Sequence, residues 1–161
     1  MRRFWLAPLV ILASTMALSG CWSPVADLVE SHVAPGGTIS ASLNNAPALT
    51  TKGLADSTKT PMTLEGTSSA LVVGLVIGTD ETSGIDGKTQ LLAGNAVSLS
   101  VSATSTTQIS VYLGGTSCVT TAAVIHLVPA SGKVTGDFTG SGANDCETSG
   151  TFTNIPIYEG E

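Results

Sequence analysis

The stretch Val97-Ser98-Leu99-Ser100-Val101-Ser102-Ala103-Thr104 alternates apolar and hydroxylated side chains without a break. A period of two sends successive side chains to opposite faces of a strand, so this segment reads as β structure with one buried and one wetted face. The pattern resumes after a short turn in Ile109, Val111 and Leu113. Residues 122 to 128 form another strand with Ala123, Ile125 and Leu127 inward, and Pro129-Ala130-Ser131-Gly132 reads as a turn. Val134 and Phe138 face inward in the next strand and Phe152 in the last. The alternation breaks at Asn154-Ile155-Pro156, where the strand bulges or leaves the sheet.

Working toward the N-terminus, the signals thin out. Ala70 to Gly78 is a nearly unbroken apolar run whose length and β-branched content predict a strand covered on both faces. Thr79 to Lys88 reads as an acidic loop ending in an Asp86-Gly87 turn, and Thr89 to Leu92 as one more short strand before Gly94-Asn95. Met62 and Leu64 mark a short strand, whereas residues 44 to 60 are polar and turn-rich and receive no assignment. Gly37 to Leu43 reads as the first strand, with Ile39, Ala41 and Leu43 on one face. These segments predict an all-β domain over residues 37–161, a single antiparallel β-sandwich of seven to nine strands with no internal helix.

Before residue 37 the chain obeys other rules. Arg2 and Arg3 precede a 15-residue apolar stretch, Phe4 to Leu18, which is shorter than the roughly 20 residues a spanning helix needs. Small residues then lead into a cysteine, Leu18-Ser19-Gly20-Cys21. This resembles the leader and lipobox of bacterial lipoproteins, and a cysteine directly after Leu-Ser-Gly sets it apart from an ordinary secretory leader. The resemblance implies that residues 1–20 are a signal-peptide helix removed on export. It implies that Cys21 is acylated and becomes the mature N-terminus, and that residues 21–36 tether the domain. It also implies residence in the outer membrane of a didermic bacterium, because Trp22 is not the aspartate associated with inner-membrane retention. Within the tether, Ser23-Pro24 can cap a short helix that puts Val25, Leu28, Val29, His32 and Val33 on one face; a disordered linker is the equal alternative.

A second resemblance lies at the C-terminus. Val134-Thr135-Gly136-Asp137-Phe138, a variable loop, and then Gly150-Thr151-Phe152-Thr153-Asn154 is similar to the ending of predicted bacterial lipoproteins with one β-sandwich domain. Such domains mostly lack an assigned activity, so the similarity supports the fold and carries no site residues.

Charge and cysteine content narrow the function. From Cys21 onward four lysines oppose twelve acids, a formal net charge of −8, which leaves nothing basic to hold nucleic acid or an anionic surface. Five aromatic side chains in that stretch are few for a sugar-stacking platform. With Cys21 given to lipid, Cys118 and Cys146 are the remaining thiols, and in an oxidising compartment they read as one disulfide. If the strands between them run up and down, the two cysteines reach the same edge of the fold, with Cα atoms within about 7 Å.

Reactive constellations are sparse. Gly66-Thr67-Ser68-Ser69-Ala70 has the outline of a nucleophile elbow, but a strand follows it where a helix is required, so it reads as a turn. His126 sits mid-strand, outward, with no acid or nucleophile near it in sequence, so a hydrolytic triad lacks its parts. Asp80, Glu81 and Asp86 crowd one loop, and Asp145 and Glu147 flank Cys146; the first three are weak calcium candidates whose spacing fits no known calcium loop. No cofactor is expected. The sequence thus points to a membrane-anchored cell-envelope lipoprotein with a non-catalytic binding or structural β domain, its partner the bilayer through acyl chains on Cys21. Two alternatives stand beside it: an envelope hydrolase with an acidic site assembled from loops, and a subunit of an envelope assembly with a protein partner.

Overall fold

The computed structural model describes residues 34–80 and 83–160. The leader, Cys21, Trp22, His32 and Glu81 lie outside the described residues. The domain is all-β, but its main sheet closes on itself instead of splitting into two layers. Eight strands form the ring, in the order β9 (Thr116–Ala130), β10 (Lys133–Gly142), β11 (Glu147–Tyr158), β1 (Gly36–Leu43), β2 (Leu49–Asp56), β3 (Met62–Thr67), β4 (Leu71–Ile77) and β8 (Gln108–Leu113), which returns to β9. The expected sandwich is therefore a barrel. The strand alternation is the same in either architecture, and only the pairing of β9 with both β8 and β10 joins the ring that a sandwich would leave open.

Two long strands make closure possible by changing neighbours along their length. On one edge β9 pairs β10 over residues 120–130; on the other it pairs β8 over residues 116–119 and then β7 (Val97–Val101) over residues 123–127. A register shift near Thr121 marks the exchange. The 12-residue β11 lies beside β1 over residues 148–153, then turns its last residues onto β2, Ile157 against Ala55 and Tyr158 against Asp56. Between these two stretches the register shifts at Thr153 and Asn154, with Asn154 at φ 53°, which is the bulge expected there.

Inside the ring the alternating apolar residues meet. Ile39, Leu64, Leu75, Ile109, Ile125, Leu127 and Val134 are fully buried, and the rings of Phe138 and Phe152 stack at 5.4 Å between centroids. The 70–78 run faces this core with Leu71, Val73, Leu75 and Ile77, while Val72, Gly74 and Val76 are half-buried on the outer wall. Coverage on both faces, the expectation for that run, is thus not what its antiparallel neighbours provide. On β2, inside the unassigned 44–60 segment, the inward residues are Thr51, Gly53 and Ala55. Gly53 pairs with Gly66, and a Cβ on either would come within 2.6 Å of Ile39 Cδ1, so the isoleucine occupies the space that two side chains would otherwise fill.

The segment between β4 and β7 also differs from its expectation. Thr79–Asp80 and Ile85–Asp86 pair as a two-stranded hairpin, β5 and β6, and Gly87–Leu92 is an α-helix, α1, rather than a strand. Asp86 caps its N-terminus by accepting from the Lys88 amide at 3.2 Å. At the other end Gly94 adopts φ 81°, with its amide on Leu91 O and the Asn95 amide on Gln90 O, a Schellman stop. The helix sends Leu91 into the core and closes one end of the barrel.

Candidate functional site

Strand directions define two ends. One, the disulfide end, holds the turns after β1, β3, β8 and β10; the other, the helix end, holds α1, the β2–β3 and β9–β10 turns and both limits of the described domain. Cys118 and Cys146 are bonded at the first end, with Cα atoms 5.8 Å apart, inside the expected 7 Å. Cys118 lies within β9 opposite Val111, not in a preceding loop as the strand limits suggested. With Leu43 and Leu113 the two cysteines form a small apolar cluster that shuts this end.

Beside that cluster the outer wall of β1, β11 and β10 carries hydroxyl groups in register. Ser42, Ser149 and Thr139 form one row across three strands. Ser40, Thr151 and Asp137 form the next, which continues through His126 on β9 to Ser98 on β7. Ser42 Oγ and Ser149 Oγ are 3.0 Å apart, and Thr148 Oγ1 donates to Ser42 O at 2.8 Å. Asn44, at φ 50°, turns the chain and accepts from the Glu147 amide at 2.9 Å through its side chain. Together these residues border an open groove of about 270 Å³ lined by Ser42, Asn45, Thr139, Ser141, Glu147 and Ser149. Its chemistry is that of neutral hydroxyl donors and acceptors with one carboxylate, which suits reversible binding of a polar partner.

The second polar feature was not legible in the chain order. His126 Nδ1 lies 3.2 Å from Asp137 Oδ1, and Ser98 stands in register on the other side of the ring. The outward histidine is as expected; the neighbouring acid is not, and it comes from the facing strand. The signal was present in the turn: with Ser131 and Gly132 at positive φ as a two-residue hairpin loop, His126 must face Asp137. The side chains are 54% and 60% exposed, which leaves the pair strongly screened. Among the described residues the Ser98 hydroxyl makes no hydrogen bond to the imidazole, and the row lies on an open wall.

Of the acidic candidates, Asp80 and Asp86 accept from backbone amides. Asp80 is buried and accepts from the Ser83 amide at 3.1 Å and the Ser100 amide at 3.2 Å, which fastens the β5–β6 hairpin to the outer edge of β7. Asp86 caps α1. Among the described residues no three His, Cys, Asp or Glu side chains come together as metal ligands. Ser68, in the elbow-like stretch, accepts from the Leu71 amide and closes the β3–β4 turn. Among the described residues no helix is long and apolar enough to cross a membrane. Comparison with known proteins finds no matching family, curated protein or solved structure.

Proposed function

We propose that this protein is a cell-envelope lipoprotein, acylated at Cys21 and held in the outer membrane of a didermic bacterium. Its barrel serves there as a non-catalytic binding or structural module. The lipobox motivates the anchor, and one observation supports the role of the domain: side chains fill the barrel, so ligand contact falls to its outer surface, where the hydroxyl-lined groove lies. A hydrolase built on the acidic loop would have to free Asp80 and Asp86 from the backbone bonds they make. The assembly-subunit reading has its own support in the exposed apolar residues of β8 and β9, Tyr112, Val119, Val124 and Val128.

Intact-mass analysis of the native protein tests the anchor. The expected product begins at Cys21 with added acyl chains, partitions into detergent, and loses both properties in Cys21→Ser. An unmodified N-terminus at another residue, or a retained leader, overturns the reading.

A further inference from the structure

Alternation along β2, β3 and β4 puts Leu54, Glu65, Val72 and Val76 on the outside of the barrel. Their neighbours Ala55, Leu64 and Leu75 face inward and are fully buried, and Leu54 belongs to neither apolar cluster of the interior. An outward side chain on this ring should meet water, as Val119 and Val124 of β9 do at 49% and 42% exposure. Leu54 is instead 2% exposed and Glu65, which pairs with it, 8%, while Val72 and Val76 are half-buried. Among the described residues no element outside the ring packs against these three strands, which contact one another and other strands of the barrel. The outer wall is therefore shielded at its middle, and the strands themselves do not supply the cover.

The path of the chain says what does. Gly36 pairs with Gly53, so in register the two residues before it would lie beside Leu54 and Ala55. Ile157 of β11 already occupies the place beside Ala55, and Pro156 lies against Gly36, so the chain has to leave the sheet at this point. Side chains fill the interior, and Ala34 and Pro35 are exposed, so it leaves on the outer side next to Leu54. The twelve residues before Ala34 carry a matching face. At helical spacing Trp22, Val25, Leu28, Val29, His32 and Val33 fall together, with Asp27 and Glu30 opposite. Such a helix is about 18 Å long, enough to cross three adjacent strands whose outer members are about 10 Å apart. Charge is complementary as well: the middle of the wall holds the Glu65 carboxylate, and the helical face carries one basic group, His32, and no acid.

We propose that residues 22–33 form a helix docked across the outer wall of β2, β3 and β4, its apolar face over Leu54, Val72 and Val76. The tether is then a strap and not a free leash. Docking does not require acylation of Cys21, so it goes beyond the lipoprotein reading. With Cys21 acylated, it shortens the reach from lipid to domain from about 40 Å for an extended tether to about 18 Å, which holds the barrel close to the bilayer.

The test reads cysteine reactivity in the mature protein, purified in mild detergent, with the unsubstituted protein as the blank. Leu54→Cys and Val124→Cys each place a thiol on the outer wall, the first under the strap and the second away from it. A maleimide is expected to react about tenfold more slowly at position 54 than at position 124. In the combined variant Val25→Asp, Leu28→Asp and Val29→Asp, the rate at 54 should rise to match the rate at 124. Equal rates with the native tether overturn the docking. A slow rate at 54 that survives the tether variant also overturns it, because another group then covers the wall. So does a slow rate that vanishes on dilution, because the cover is then a second copy. Amide exchange gives a second reading should Leu54→Cys fold poorly. Residues 25–33 should be protected in the native protein and lose that protection in the tether variant, while Ile109 and Ile125 keep theirs; free exchange of 25–33 in the native protein overturns the proposal. Intact mass reports acylation separately, so the strap and the lipid anchor stand or fall independently.

Discussion

The disulfide end and the helix end close the same barrel by different means. At the first, the connections after β1, β3, β8 and β10 are short, two to five residues, and a covalent bond joins β9 to the start of β11 across a small cluster of four residues. At the second, a 19-residue connection between β4 and β7 supplies a hairpin and a helix, and closure depends on Leu91 buried as part of the main core. A bond needs little buried area, so one end can remain polar and open around its groove. A packed plug needs apolar partners, and it leaves some of its own apolar surface, such as Leu92, exposed at the rim. The contrast shows how one core can be closed covalently at one end and by packing at the other.

The largest expected loss comes from the bonded end. Replacing both bridge cysteines, Cys118→Ala with Cys146→Ala, releases a 28-residue separation and should cost about 3.5 kcal/mol on the chain-entropy account, read as a lower urea midpoint. A change below about 1 kcal/mol would break the comparison, because the small cluster would then be holding this end without its bond. Next is Leu91→Ala, which opens the helix end and should cost about 3 kcal/mol. Hydrogen exchange should then rise in Gly87–Leu92 and the adjoining part of β7 and leave Thr116–Val119 protected. If the ends are independent, the two losses should add to within about 0.5 kcal/mol; a larger departure would make them one cooperative unit.

Smaller effects sharpen the picture. Asp86→Ala removes the α1 cap and should cost about 1 kcal/mol in thermal unfolding. Asp137→Asn, on the wall between the ends, should change stability by less than about 0.5 kcal/mol, because the pair it forms with His126 is mostly exposed. A larger loss there would place His126 and Asp137 within a network that the static contacts understate.

Much of the fold is written in the chain where alternation is strong. Each of β1, β7, β8, β9, β10 and β11 sends at least one large aliphatic or aromatic side chain inward, and the period of two identifies it. β2 is different: its inward series is Thr51, Gly53 and Ala55, small because Ile39 from the neighbouring strand fills the space, and no periodicity could announce it. α1 did carry signals, an aspartate cap and a glycine stop, but its six residues are too few for a helical period to compete with the expectation of a strand. Barrel and sandwich share the same alternation, and only long-range register distinguishes them. The same limit applies to the site. The disulfide was legible because few thiols leave few pairings, whereas the hydroxyl rows and the His126–Asp137 pair exist only once strands far apart in sequence are set side by side.

The pairing of β1 with β11 sets the order in which the molecule can form. Thr38 meets Thr153, so the first strand of the domain has one neighbour that is also the last to be synthesised. The β2–β3, β3–β4, β8–β9 and β9–β10 hairpins can assemble locally as the chain emerges, but the ring stays open until Glu147–Tyr158 is available. Closure across more than a hundred residues carries a loop-entropy cost that the local hairpins avoid, and it makes the final step the slow one. Until that last strand arrives, β1 lacks its partner and the barrel has nothing to close on.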